Sequence, residues 1–355
     1  MRRARALVGV AAAVALLLTS ACSGAAGTAD GGGGGGSSEK DELTGLALVF
    51  RGYEGGDPEE SQALVFVDPE SGTEKAAVAL PERALDPMVS GIPAYAMFSD
   101  DWRYFVYSAQ DNSDLQLAQL NADQTAYEPL AAISAQASEQ WGEPRIQGDR
   151  IWFSARTPGT PSTARVMSVP LDDPTASPKQ AGQLPAGEGG KPASWELTPD
   201  GAVHIREQVP VTQMTGQDGS SLTVRKNGDH LMNATLAAGG KQWQSLDSTP
   251  VWGEGNIIVG PADQGNGVPD GEGGARLITL DDTGQGYTTI QLLDASDGVV
   301  EQYAPAPKRD GVLLQTDSTW YRVDLEDGTP NRTADFPAPH DASMDGHPLV
   351  AGWTS

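Results

Sequence analysis

The sequence predicts an all-β protein, a β-propeller of six blades closed by a C-terminal strand. Short apolar strand patterns separated by turn residues recur from Leu43 to the C-terminus. No amphipathic helical pattern longer than two turns interrupts them. Leading strands begin near positions 46, 104, 151, 202, 256 and 312, at intervals of 47 to 58 residues. Four-stranded units repeated at about this period are typical of propeller blades, which bury their faces by stacking around an axis.

Each unit after the first consists of a turn, a leading strand and a second strand. The opening unit has strands at Leu46–Phe50, Ala63–Val67 and Lys75–Leu80 and lacks one strand. We expect Pro348–Ala351 to pair back into this unit and close the ring. Because Asp341–Ser355 could hold two strands, a seventh blade stays open. The later pairs are Tyr104–Ser108 and Leu115–Leu120, Ile151–Ser154 and Arg165–Val169, Ala202–Ile205 and Leu222–Arg225, Asn256–Val259 and Arg276–Leu280, and Val312–Gln315 and Trp320–Leu325.

Four turns resemble those of TolB-like propellers, which have a WD40-like architecture. The segments Phe98–Tyr104 (FSDDWRY) and Leu197–Gly201 (LTPDG) look like the aromatic-Ser-Pro-Asp-Gly turn of that family. The segments Asp68–Gly72 (DPESG) and Asp324–Gly328 (DLEDG) resemble the Asp-Leu-x-x-Gly turn after its third strand. The resemblance implies the fold. It does not imply the Tol–Pal role, because the N-terminal domain of the TolB translocation protein has no counterpart here.

The first 21 residues are expected to be a signal peptide. Arg2, Arg3 and Arg5 precede an apolar run from Leu7 to Leu18. Twelve helical residues rise about 18 Å, too little for a hydrocarbon core of about 30 Å. A basic start, a short apolar run and small residues after it are typical of an export signal.

The segment Thr19–Cys22 resembles the lipobox of bacterial lipoproteins, although Thr19 stands where that family usually has Leu or Val. The resemblance implies that a diacylglycerol is joined to the Cys22 sulfur before cleavage ahead of Cys22, which gives at least two acyl chains. Because Cys22 is the one cysteine of the chain, it can form no intramolecular disulfide. An ordinary cleaved signal with an incidental cysteine is the alternative. Two or more acyl chains would anchor the protein stably at the extracytoplasmic face of the cell membrane.

Residues 22–42 are expected to be a flexible tether between this lipid and the propeller. The tether contains an unbroken glycine run, Gly31–Gly36. Glycine-rich chain behaves as a random coil, and twenty such residues span about 25 Å root-mean-square. The propeller domain is then residues 43–355.

The charge of the chain excludes nucleic acid as a partner. The sequence holds 23 basic and 48 acidic residues, a net charge of −25, and loss of the signal peptide removes three arginines. A field of this sign repels phosphate backbones and anionic headgroups. We expect a monomer that meets the membrane through Cys22 and an envelope or secreted protein through the propeller.

Three tryptophans are candidates for ligand binding. Trp141, Trp195 and Trp252 each occur where a blade's inner strand should begin. Indole rings there could line the channel mouth and stack on a sugar or another flat ligand. Packing between blades is the alternative, because tryptophan carries a large apolar area.

Calcium is the metal that the sequence best supports, and no other cofactor is expected. Asp263, Asn266, Asp270 and Glu272 lie in one glycine-rich segment that should be a loop. Calcium prefers oxygen ligands of this kind, but the spacing does not match an EF-hand. A solvated loop is the alternative. Two histidines, His340 and His347, match no zinc motif.

No catalytic motif was found, so the chain is predicted not to be an enzyme. In particular, the sequence lacks the Gly-x-Ser-x-Gly elbow of one class of serine hydrolases. The leading hypothesis is a membrane-anchored, non-catalytic platform that binds a protein or another envelope component. The alternatives are a small-ligand or glycan binder at the channel mouth, and a secreted hydrolase or lyase.

Overall fold

The computed structural model contains 24 β-strands and four short 3-10 turns among the residues that it describes. Those residues are 43–87, 89, 92–108, 114–135, 139–157, 164–186, 193–198, 200–227, 230–246, 255–261, 273–316, 319–326, 329–334 and 348–355, of which 326 and 329–334 are described by their backbone. They fall in one compact unit, 41–355. The 3-10 turns are Tyr53–Gly55, Ala94–Ala96, Arg206–Gln208 and Ala295–Asp297. In this part of the chain no helix is long and apolar enough to span a membrane.

The strands form antiparallel sheets that follow one another along the chain. Sheet one has the order β24-β1-β2-β3, and sheets two, three and six are simple meanders of consecutive strands. Their strands are β1 (Gly45–Arg51), β2 (Gln62–Val67), β3 (Glu74–Ala79) and β24 (Leu349–Thr354); β4 (Tyr104–Ser108), β5 (Leu115–Leu120) and β6 (Tyr127–Ile133); β7 (Gln140–Gln147), β8 (Arg150–Arg156), β9 (Ala164–Pro170) and β10 (Lys179–Leu184); and β20 (Val300–Pro305), β21 (Gly311–Thr316), β22 (Trp320–Glu326) and β23 (Thr329–Ala334).

Sheets four and five depart from the expected four strands. Sheet four has two strands and sheet five has seven, in the order β13 to β19. These strands are β11 (Trp195–Leu197), β12 (Val203–Ile205), β13 (Val211–Thr215), β14 (Ser221–Asn227), β15 (His230–Ala238), β16 (Lys241–Ser245), β17 (Asn256–Pro261), β18 (Ala275–Leu280) and β19 (Tyr287–Leu293).

A 3-10 turn and a proline after β12 interrupt the strand and account for this departure. The 3-10 turn Arg206–Gln208 follows β12 directly, and Pro210 then has no N–H to offer a neighbouring strand. The next strand, β13, therefore pairs with β14 in a separate meander. Side chains rather than strand pairing join β11 and β12 to β14 and β15: Glu196 lies 3.8 Å from His230, and Asn227 lies 3.3 Å from the His204 ring.

The C-terminal strand closes the structure as expected. Leu349 and Val350 of β24 pair with Val49 and Leu48 of β1, which gives sheet one its fourth strand. Within 348–355 the closing segment holds one strand.

Among the described residues, hydrophobic clusters join each sheet to the next around the ring, except sheet four to sheet five, where the polar contacts described above connect them. Each cluster contains buried side chains of two neighbouring sheets or, in sheet five, of its two halves. Members that share a cluster are Phe66 with Phe105, Leu117 with Phe153, Val166 with Trp195, Leu222 with Ile257, Leu277 with Leu314, and Leu313 with Leu48. The last pair returns to sheet one. The chain is a β-propeller, with β11–β15 as its fourth blade and β16–β19 as its fifth.

Candidate functional site

An open groove of about 760 Å³ lies at one end of the fifth blade. The turn between β15 and β16 forms one wall, and the ends of β17, β18 and β19 form the other. Gly239 and Gly240 make this two-residue turn with φ of 59° and 79°, the left-handed pair that a type I′ hairpin requires. Its polar and aromatic lining includes Asp218, Lys241, Trp243, Arg276, Gln291 and Asp294.

Arg276 is placed in the groove by the strand register. It stands opposite Val259 of β17 and opposite Gln291 of β19. Two residues along β17, Pro261 stands opposite Trp243, so these side chains share one face of the sheet. The guanidinium of Arg276 lies over the Trp243 ring, 4.2 Å from its centroid.

The guanidinium of Arg276 has no hydrogen bond or ion pair with any residue that the structure describes. Its Nε is buried and has no acceptor within those ranges. A buried donor without an acceptor costs about 1–3 kcal/mol. The contact with Trp243, which is 8% exposed, is a cation–π contact and does not use the N–H donors of the guanidinium.

Two carboxylates limit the positive potential of the groove. Asp218 accepts hydrogen bonds from the Ser220 hydroxyl, at 2.5 Å, and the Ser220 N–H, at 3.0 Å. These bonds lower the pKa of Asp218, and the charge of Arg276 acts in the same direction. Asp294 caps the 3-10 turn Ala295–Asp297. With Lys241 and Arg276, the described part of the lining carries two cationic and two anionic side chains.

A second groove, of about 510 Å³, lies where the ring closes. It is lined by Thr44 near the domain's first residue, by Lys308 after β20, and by Thr354 at the end of β24. The first groove is lined by Asp294 and Ala295, which precede β20. The two grooves therefore lie at opposite ends of β20, with the entry of the chain beside the second.

Two of the three candidate tryptophans lie on the first strands of sheets three and four, and both are buried. Trp141 of β7 is 7% exposed, stacks on Phe153 with ring centroids 4.6 Å apart, and donates to Glu139 at 3.0 Å. Trp195 of β11 is 2% exposed and donates to Glu143 at 2.6 Å, while Arg145 covers its ring at 4.3 Å. Their burial favours the packing alternative, because little of either ring is left for a ligand.

The other sequence candidates lie outside the described residues. These are Cys22, Trp252, the calcium candidates Asp263, Asn266, Asp270 and Glu272, and the histidines His340 and His347. The residues on either side of the calcium-candidate segment, Pro261 and Gly273, both line the first groove. Within the ranges that the structure covers, no three His, Cys, Asp or Glu side chains form a group that could hold a metal ion.

A polar cluster fills the seam inside the fourth blade. Glu196 accepts from Arg206 at 3.2 Å and lies 3.8 Å from His230, while the rings of His204 and His230 are 6.3 Å apart. Glu196 and His204 lie on β11 and β12, Arg206 lies in the 3-10 turn after β12, and His230 lies on β15. The cluster has a structural role, since it takes the place of strand pairing.

No protein-family model and no curated protein sequence matches the chain. Similar solved structures include a putative 6-phosphogluconolactonase from Bacteroides fragilis, 12% identical, with a TM-score of 0.41, covering 88% of this chain and 98% of that one. A functionally unknown protein from Desulfotomaculum acetoxidans is 10% identical, with a TM-score of 0.41 and coverage of 86% and 84%. The WD40 domain of Toxoplasma gondii coronin is 9% identical, with a TM-score of 0.34 and coverage of 78% and 65%. Likeness at this level carries no argument about activity.

Proposed function

We propose that the chain is a lipid-anchored, extracytoplasmic binding protein whose partner occupies the groove beside Arg276. The observation that carries the binding role is a guanidinium held over the Trp243 ring in an open groove, with no hydrogen-bond or ion-pair partner in the described chain. Polar side chains that are positioned but not paired are what a recognition site requires. The partner is a protein or another component of the envelope.

Replacement of Cys22 tests the anchor. We expect Cys22→Ala to move the protein from the membrane fraction to the soluble fraction and to abolish labelling by a fatty acid, because the acylated sulfur is lost. The matched control is Ser23→Ala, which keeps the thiol and should stay in the membrane fraction. Retention of Cys22→Ala in the membrane would show that the anchor is elsewhere.

A pull-down from the envelope tests the binding role. The full chain is compared with a truncated chain of residues 1–42 alone. A partner retained by the full chain and absent from the shorter one supports the proposal. Failure to retain any component above the shorter chain would contradict it.

A further inference from the structure

We infer that the groove of the fifth blade recognises one carboxylate group of a small polar ligand or partner segment, through Arg276. This inference rests on the proposed function and names the chemistry of its site. It follows from the state of the guanidinium, the charges around it and the net charge of the chain.

The guanidinium of Arg276 is presented for a bidentate partner. The Trp243 ring lies against one side of the guanidinium and Nε is buried, so the two terminal nitrogens are the donors available for hydrogen bonds. A planar fork of donors matches the two oxygens of a carboxylate. A carboxylate set against the terminal end of the guanidinium can accept from both terminal nitrogens together, because these have no partner within the described residues and, unlike Nε, are not buried.

The surroundings favour a single negative charge. Asp218 and Asp294 also line the groove, and the chain has a net charge of −25. A polyanion or a phosphate dianion would be repelled more strongly than a monocarboxylate, and the repulsion from distant charges is screened beyond about 8 Å at physiological salt. Gln291, across the strand pair from Arg276, adds an amide that can bind the neutral polar part of the ligand.

The test is an NMR titration of the full chain in detergent, which follows the Nε–H of Arg276 and the indole N–H of Trp243. The probes come in matched pairs: N-acetyl-L-alanine with its neutral amide, and D-glucuronate with D-glucose. Inorganic phosphate is the fifth probe. We expect saturable shifts of both signals with the acids and none with the neutral partners.

Variants assign the effect to named groups. Arg276→Gln should weaken binding of the acid about tenfold or more, because a charge-assisted bidentate contact is lost. Arg276→Lys should bind with intermediate affinity, since it keeps the charge and loses the fork. Asp218→Asn should strengthen binding about threefold, because it removes a nearby negative charge while keeping a turn acceptor. Arg103→Gln, at an exposed arginine of the second blade, is the matched control and should bind like wild type.

The outcomes distinguish a peptide-like from a sugar-like ligand, and they test the carboxylate inference separately from the proposed binding function. Binding of both acids supports recognition of the carboxylate itself, and binding of one acid alone identifies a peptide-like or a sugar-like source. Equal binding of acids and neutral partners, tighter binding of phosphate, or an unchanged affinity in Arg276→Gln would overturn the inference. If no acid binds while the envelope pull-down retains a partner, the carboxylate assignment fails and the binding function stands.

Discussion

Two turns of the propeller have the same hydrogen bonds around different residues. In one, Ser99 donates to Asp101 and accepts from the N–H of Tyr104; in the other, Thr198 donates to Asp200 and accepts from the N–H of Ala202. Gly201 takes the left-handed conformation in the second turn, with φ of 79°. The corresponding residue in the first is Trp102, with φ of 57°, where the second turn has glycine. Packing of its side chain maintains this conformation.

The packing of the Trp102 side chain stabilises the fold by more than the left-handed conformation of its backbone costs. The ring is 7% exposed and meets Phe66 edge-on, with centroids 5.2 Å apart. A left-handed conformation costs a non-glycine residue about 1–2 kcal/mol, whereas truncation of a buried tryptophan costs about 3–5 kcal/mol. The balance of these two effects decides whether a substitution at this position raises or lowers the free energy of unfolding.

Substitution of Trp102 by glycine should therefore destabilise the protein. We expect Trp102→Gly to lower the free energy of unfolding by about 2–3 kcal/mol, measured by chemical denaturation. The matched control is Gln124→Gly, at a half-buried residue with φ of 59°. The control should be neutral or slightly stabilising, because it relieves the same strain and removes little packing. Equal losses in both variants would contradict this account.

At the scale of elements, the closing strand β24 is held by a side chain as well as by its neighbour β1. Gln302 of β20 accepts from the N–H of Val350 at 2.8 Å and donates to the carbonyl of Pro348 at 3.1 Å. It also donates to Gln315 of β21 at 2.8 Å. One amide thus connects the last blade to the strand that completes the first.

Loss of this amide should loosen the closure. We expect Gln302→Leu to lower the free energy of unfolding by about 2 kcal/mol, since the backbone groups of Val350 and Pro348 lose their side-chain partner. The amide of Val350 should exchange with solvent faster, as followed by hydrogen exchange. Gln140→Leu, at an exposed glutamine of β7, is the control and should change stability by less than about 0.5 kcal/mol. A similar exchange rate at Val350 in both variants would argue against the clamp.

The sequence predicts some elements better than others, for physical reasons. The leading strands begin within one residue of the expected positions, because each is an apolar run after a turn that the period repeats. Strand β13 was not predicted, since four of its five residues, Val211–Thr215, are exposed or half-buried and give no apolar pattern. The pairing of Arg276 with Trp243 was also missed. It depends on the register of β16, β17 and β18 together, which residue types alone do not specify.

At the scale of the whole molecule, four turn aspartates with lowered pKa values lie in the first, fourth and fifth blades. Hydrogen bonds within the turns hold the pKa of each below the ordinary aspartate value of 3.8: the Ser71 N–H and hydroxyl at Asp68, the Thr198 hydroxyl at Asp200, the Ser220 hydroxyl at Asp218 and the Thr283 hydroxyl at Asp281. A lowered pKa in the folded state means that the unfolded chain binds protons first on acidification. These groups therefore stabilise the fold fully above the unfolded value, and their contribution is lost as the pH falls through the folded pKa values below 3.8.

The acid limb of the stability profile should reflect these four residues. We expect the free energy of unfolding to fall as the pH drops from about 5 to about 2.5. The variant with Asp68, Asp200, Asp218 and Asp281 all changed to Asn should be less stable at pH 5 and should lose less over this range. The free energy of unfolding of both proteins is measured by urea denaturation in about 0.5 M NaCl, which screens long-range repulsion. If stability falls with pH to the same extent in both proteins, the turn aspartates are not the cause of the acid destabilisation.

The pairing of β24 with β1 also sets an order on synthesis and folding. A hydrogen bond from Thr354 to the Gly45 carbonyl joins residues 309 positions apart. At about 5–20 residues per second, a ribosome needs roughly 15–60 s to make the chain between these two strands. Throughout that time the first sheet lacks its inner strand, and Leu48 lacks the neighbours that β24 and the last blade supply. The ring can therefore close only after the last residues of the chain have been made, and a nascent chain that stops short of Leu349 keeps an open sheet edge to which other chains can pair.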